Sequence, residues 1–179
     1  SYAMAARRYM HEYGEDRIRQ AMAEIAVSTR KWANLNPMAY FYDKTTSFDD
    51  YHDSRWVAWP FHLLDCCLVT DAGAAIVITT PERARDAKNG SVTILGAGEG
   101  HDHSMISQMP DLTRAFGRNT GPQAIEMAGV SHSDLDLAMI YDSFTYTVLV
   151  TLENLGFCGP GEGPDFVASQ RTAPGGDFP

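Results

Sequence analysis

The run Ala74-Ala75-Ile76-Val77-Ile78-Thr79 constrains this chain more than any other stretch. Small and β-branched residues in unbroken succession, without a charge, have the pattern of a strand covered on both faces. Thr80-Pro81-Glu82 follows at once, a capping hydroxyl with proline in the first turn, and starts a helix. Asn89-Gly90 closes that helix, and Ser91 to Leu95 reads as the next strand. A short helix runs from Pro122 to Ala128 and stops at Gly129, and Leu137 to Tyr141 reads as a further strand. Asp142-Ser143 then caps a helix over 144–155, with Phe144, Val148, Leu152 and Leu155 on one face and Gly156 at its end. Strands alternating with helices specify layered α/β architecture.

The first part of the chain has a different texture. Ala3 to Tyr13 is helical in pattern and ends at Gly14. Glu15 and Asp16 open a second helix, in which Ile18, Met22, Ile25, Ala26, Thr29 and Ala33 fall at helical spacing. Asn36-Pro37 ends it. Residues 38–60 are irregular and aromatic (Tyr40, Phe41, Tyr42, Phe48, Tyr51, Trp56, Trp59), interleaved with Asp43, Asp49, Asp50 and Asp53. Basic residues between such rings would suit nucleic acid; acidic ones do not. The expectation is a long covering loop packed by its own rings.

Charge excludes whole classes of partner. Fourteen Lys and Arg against 23 Asp and Glu leave a net −9, with no basic face for nucleic acid or an anionic membrane. No apolar run approaches the roughly 20 residues of a bilayer span. Ser1 to Tyr13 lacks the apolar core of a signal peptide. Cys66, Cys67 and Cys158 form neither a disulfide framework nor a zinc spacing, which fits a reducing cytoplasm. The chain opens inside a helical pattern and closes in the Pro/Gly-rich run 173–179, so it is expected to be a piece of a longer protein.

Four places carry possible chemistry. Gly96-Ala97-Gly98-Glu99-Gly100 follows a strand, but its third glycine comes one residue too early for a dinucleotide fingerprint and no helical pattern follows; a glycine turn is the simpler reading. His101 and His103 flank Asp102 and could converge on a metal. Without a third His or Cys nearby, a loop lining a substrate pocket is preferred and no metal is assigned. Cys66 and Cys67 sit among Leu63, Leu64, Leu68 and Val69 and read as buried structural thiols. Tyr141-Asp142-Ser143-Phe144-Thr145 lies where a strand ends and a helix begins, the crevice position of an open α/β sheet. A tyrosine there can give a proton to, or share one with, an enolate or alkoxide. Equally, it can be a packed ring with a hydrogen-bonded hydroxyl.

Taken in order, Asp65-Cys66-Cys67-Leu68-Val69-Thr70-Asp71-Ala72-Gly73-Ala74-Ala75, Ala128-Gly129-Val130, Tyr141-Asp142-Ser143-Phe144-Thr145 and Leu155-Gly156-Phe157-Cys158 with Gly161-Glu162-Gly163 resemble the thiolase superfamily. The nearest branch is that of the sterol-carrier-protein thiolases and bacterial lipid-transfer proteins, which the opening Ala6–Gly14 also fits. The resemblance implies a partial, thiolase-like layered α/β fold. Residues 1–80 would end the first half and include the covering loop 38–60, residues 81–90 would be a connecting helix, and residues 91–179 would begin the second half. The family's nucleophilic-cysteine loop and its Gly-His-Pro motif have no counterpart here, so no family cysteine role falls on Cys66, Cys67 or Cys158.

Family thiolases have Asn-Glu-Ala-Phe, or His-Asp-Cys-Phe in the sterol branch, where this chain has Tyr141-Asp142-Ser143-Phe144. The departure at Tyr141 resembles lipid-transfer proteins that act as aldolases in steroid side-chain breakdown. The resemblance implies retro-aldol cleavage of a β-hydroxyacyl-CoA, with Tyr141 catalytic and Phe144 and His103 against the substrate. A 3-ketoacyl-CoA thiolase and a non-catalytic lipid-transfer or scaffold subunit are the alternatives. It further implies a CoA thioester as substrate with no covalently bound cofactor, a homodimer, and an OB-fold, zinc-ribbon acyl-CoA-binding partner.

Overall fold

A computed structural model describes residues 1–115 and 117–178. Helices α1 (Tyr2–Tyr13) and α2 (Glu15–Ala33) form where the periodicity places them. Gly14 between them has φ +97°, a conformation a side chain would strain, so the chain turns there without unwinding either helix. The buried stripe of α2 is Ile18, Met22 and Ile25. It faces the helix Thr145–Asn154 and the C-terminal residues, so the two ends of the chain share one core.

The expected covering loop is only partly irregular. Helix α3 (Phe48–Asp53) is fixed by a capping box: Asp50 N–H donates to Ser47 Oγ at 3.1 Å, and Ser47 N–H donates to Asp50 Oδ2 at 2.8 Å. A two-strand antiparallel hairpin follows, β1 (Trp56–Ala58) and β2 (Phe61–His62). Rings do pack on one another here, Trp56 on Trp59 and on His62. Sequence composition marked the aromatics but not the short elements between them.

Helix α4 is a single turn, Pro81–Ala84, at the start of the segment 81–90. Helix α5 (Gly117–Ala128) begins before Pro122 and carries the proline inside it. Helix α6 (Thr145–Asn154) is shorter than the pattern suggested. Asp142 and Ser143 do not cap it through the backbone; the Thr147 hydroxyl closes the first turn by donating to Phe144 O at 2.6 Å. Helix α7 (Gly163–Val167) completes the set and packs on α2 and α6. Arg17 ties α2 to this end, donating to Gly161 O at 2.7 Å and to Asp165 Oδ2 at 2.6 Å.

The expected strands at 74–79, 91–95 and 137–141 are not strands among the described residues, where the β1–β2 hairpin is the one sheet. Their apolar side chains face outward: Ile76, Val77, Ile78, Val92 and Met139 are all exposed. A strand is completed by a neighbour that satisfies its N–H and C=O groups, and none of these runs has one here. The glycine-rich stretch has a packing role. A Cβ on Gly96 or Gly98 would overlap the carbonyl oxygens of Ala124 and Thr120 on α5. Those glycines let one backbone lie against another.

Candidate active site

The site is assembled around Asp65. A turn at Leu63–Asp65 follows β2 and buries this carboxylate at 2% exposure. It accepts from the Tyr51 hydroxyl at 2.8 and 3.0 Å, from His62 N–H at 2.7 Å, and from the hydroxyl of Thr145. Burial raises the Asp65 carboxyl above the usual carboxylate range, against the pull of those donors. Thr145 is the first residue of α6, so Asp65 pins that helix start to the turn.

The pinned segments then pair. Cys66 and Phe144 form an isolated antiparallel bridge, and Cys67 N–H donates to Ser143 O at 3.2 Å. This brings Tyr141 and Cys67 onto the wall of one cavity. Tyr141 is 76% exposed and lines a cavity of about 870 Å³. The neighbouring Cys67 thiol, chiefly through its charge, raises Tyr141 above the ordinary phenol value. Asp142 lines the same cavity, and burial raises its carboxyl.

Other elements complete the lining. Helix α2 gives Ala26, Thr29, Arg30 and Ala33, and the loop after it gives Tyr40, Phe41 and Lys44. The Arg30 guanidinium lies 3.8 Å from the centre of the Phe41 ring, and Lys44 Nζ lies 4.6 Å from that of Tyr40. Asn34 Nδ2 donates to the carbonyls of Phe41 and Tyr42, at 2.8 and 3.0 Å, which fastens this loop to the helix. Cations and ring faces on one wall, with a phenol and a carboxylate on another, suit a long ligand with an anionic end and a reacting end.

The structure places the expected site residues in different surroundings. Tyr141 stands in the cavity wall. Phe144 is not part of the lining: it stacks on Phe61 at 4.7 Å and also meets Tyr2. His103 is likewise off the lining, paired to Asp102. Cys66 is half-buried and Cys67 exposed, so the reading of both as buried thiols is corrected. The apolar neighbours that suggested burial, Leu63, Leu68 and Val69, are themselves exposed. Sequence reasoning missed Asp65 and the Arg30–Lys44 wall, and took Asp142 for a helix cap. Only Asp142 had a signal, its place next to Tyr141.

Residues 98–179 match the family described as thiolase C-terminal domain-like. The chain carries a thiolase C-terminal-like domain. Among relatives of this thiolase-like chain, a steroid side-chain-cleaving aldolase of Thermomonospora curvata is 41% identical, over 99% of this chain and 46% of the relative. A 17-hydroxy-3-oxo-4-pregnene-20-carboxyl-CoA lyase of Mycobacterium tuberculosis is also 41% identical, over 99% and 47%. A solved Ltp2-ChsH2(DUF35) aldolase superposes with a TM-score of 0.88 at 40% identity, covering 99% of this chain and 47% of that one. The fold is therefore thiolase-like, and the chain spans about half the length of the curated relatives it matches.

Proposed function

We propose that the protein containing these residues cleaves a carbon–carbon bond in a β-hydroxyacyl-CoA thioester by a retro-aldol step. Support comes from the tyrosine just before α6, exposed on a cavity wall, in a thiolase-like chain whose similar relatives include a steroid side-chain-cleaving aldolase and an acyl-CoA lyase.

The chemistry follows from the bond that breaks. A base takes the proton of the β-hydroxyl, and its oxygen becomes the carbonyl of the departing ketone or aldehyde. The Cα–Cβ electron pair stays on Cα and spreads onto the thioester oxygen as an enolate. A proton returned to Cα gives the shortened acyl-CoA. No acyl-enzyme forms, so no cysteine nucleophile is needed. Tyr141, with its pKa raised, keeps its proton at neutral pH and serves as donor to the enolate oxygen. Asp65 and Asp142 are the carboxylates lining the cavity among the described residues, and Asp65 is saturated with donors. Asp142 is thus the base for the hydroxyl proton. Arg30 and Lys44 face the phosphates of CoA, with Tyr40 and Phe41 beside its adenine.

The same reading assigns residues 1–80 to the end of one thiolase-like half, 81–90 to a connector and 91–179 to the start of the next. It includes a homodimer and an OB-fold, zinc-ribbon acyl-CoA-binding partner; the similar solved aldolase, which contains a DUF35 component, supports a partner of DUF35 type. It places the protein in the cytoplasm, supported by three free cysteines. No helix among the described residues is long and apolar enough to cross a membrane.

Tyr141→Phe in the full-length protein is the test. Release of the shortened acyl-CoA should fall by about 10²-fold or more with KM little changed. Unaltered turnover would remove Tyr141 from the reaction.

A further inference from the structure

We infer that Asp65 is a positioning residue for the reacting pair Tyr141 and Asp142, acting through the hydroxyl of Thr145. The inference rests on the roles given to that pair above. Three successive residues on each side meet in antiparallel order. The Asp65 carboxylate accepts from the Thr145 hydroxyl, Cys66 bridges to Phe144, and Cys67 N–H donates to Ser143 O at 3.2 Å. The next two residues on each side, Leu68 and Val69 on one and Asp142 and Tyr141 on the other, line the cavity. The clamp therefore ends where the reacting groups begin.

The buried end of the clamp is the strong one. Asp65 and Thr145 are 2% and 5% exposed, whereas Cys67 is open to water. A hydrogen bond to a carboxylate away from water outweighs one backbone bond beside it. Each partner of Asp65 is a donor, and the partners come from different elements: the Tyr51 hydroxyl from α3, His62 N–H from β2 and the Thr145 hydroxyl from α6. One side chain thus sets the start of α6 against the hairpin and the helix before it. The wall that carries Arg30 and Lys44 is held differently, by α2 and by Asn34, whose Nδ2 donates to Lys44 O at 3.2 Å. Loss of the Asp65–Thr145 bond should therefore move the reacting groups and spare the binding groups. A shift of about 1 Å at reacting atoms costs rate even when binding is intact.

The experiment has two arms in the full-length protein. In the first, Thr145→Val keeps the branched shape without the hydroxyl and should lower kcat about tenfold with KM within about twofold, while Thr145→Ser should stay within about threefold of wild type. Adding Thr145→Val to Asp65→Asn should lower kcat no further than Asp65→Asn alone, since both act through one bond. Tyr9→Phe loosens the far end of α6 at Glu153 and is the control, with kcat unchanged. In the second arm, hydrogen–deuterium exchange of the peptide 141–147 should rise in Thr145→Val and not in Thr145→Ser. Full kcat in Thr145→Val, an equal loss in Tyr9→Phe, or unchanged exchange in Thr145→Val would overturn the inference. The second arm needs no substrate. It therefore stands apart from the aldolase reading, which fails separately if Tyr141→Phe turns over normally.

Discussion

The hydroxyl of Tyr9 donates to the carboxylate of Glu153, joining α1 to α6 across most of the chain. Glu153 Oε1 also accepts from Gly163 N–H at 2.9 Å, so one oxygen holds three elements together. Burial and this acid push the Tyr9 phenol far up. Glu153→Ala leaves a buried hydroxyl and a backbone N–H without their acceptor and should cost about 2–4 kcal/mol. Tyr9→Phe leaves the carboxylate one donor and should cost about 1–2 kcal/mol. Urea midpoints of the two variants measure both, and the reverse order would show that Tyr9, not Glu153, is the pivotal partner.

Gly96→Ala and Gly98→Ala each drive a methyl group into a carbonyl of α5. Each should destabilise by about 1–3 kcal/mol. Gly73→Ala is the control, since nothing lies within 4 Å of its Cβ position. Thermal melts of the three variants should separate the pair from the control. Equal melting points would mean that the close approach to α5 is not made in solution.

Asp65 sets a pH dependence. Its folded carboxyl lies above its unfolded value, so the folded state binds the proton more tightly. That contribution to stability is full below the ordinary carboxylate pKa of about 3.9 and is lost as pH rises through the raised folded value. The margin of wild type over Asp65→Asn should therefore be largest in acid and shrink as the pH increases through that window. Urea titrations at several pH values check the sign, and a margin that grows with pH would contradict it.

Thiol reactivity should follow exposure and charge. Cys158 is pushed up to about 12, first by burial and then by Glu153. At pH 8 its thiolate is scarce, whereas Cys67 is exposed. Alkylation followed by peptide mapping should therefore label Cys67 first and Cys158 last.

What was legible in the chain was local. Gly14 and the spacing of Ile18, Met22 and Ile25 fix α1 and α2 because a helix satisfies its own backbone. Tyr141 could be singled out because its place before a helix start is also a local property. The runs at 74–79, 91–95 and 137–141 carry strand propensity, but pairing is non-local and their neighbours decide it. Asp65 meets Thr145 across 80 residues, and no periodicity announces such a contact. Cys67 shows the limit of composition: apolar neighbours in sequence did not bury it, because those neighbours face outward too.

The outward-facing Ile76, Val77 and Ile78 have a practical corollary. Uncharged β-branched segments with open backbone edges are templates for intermolecular cross-β stacking. Expressed as the 179-residue polypeptide alone, this sequence should be fibril-prone at high concentration. A lysine placed at Val77 would act as a gatekeeper against that outcome.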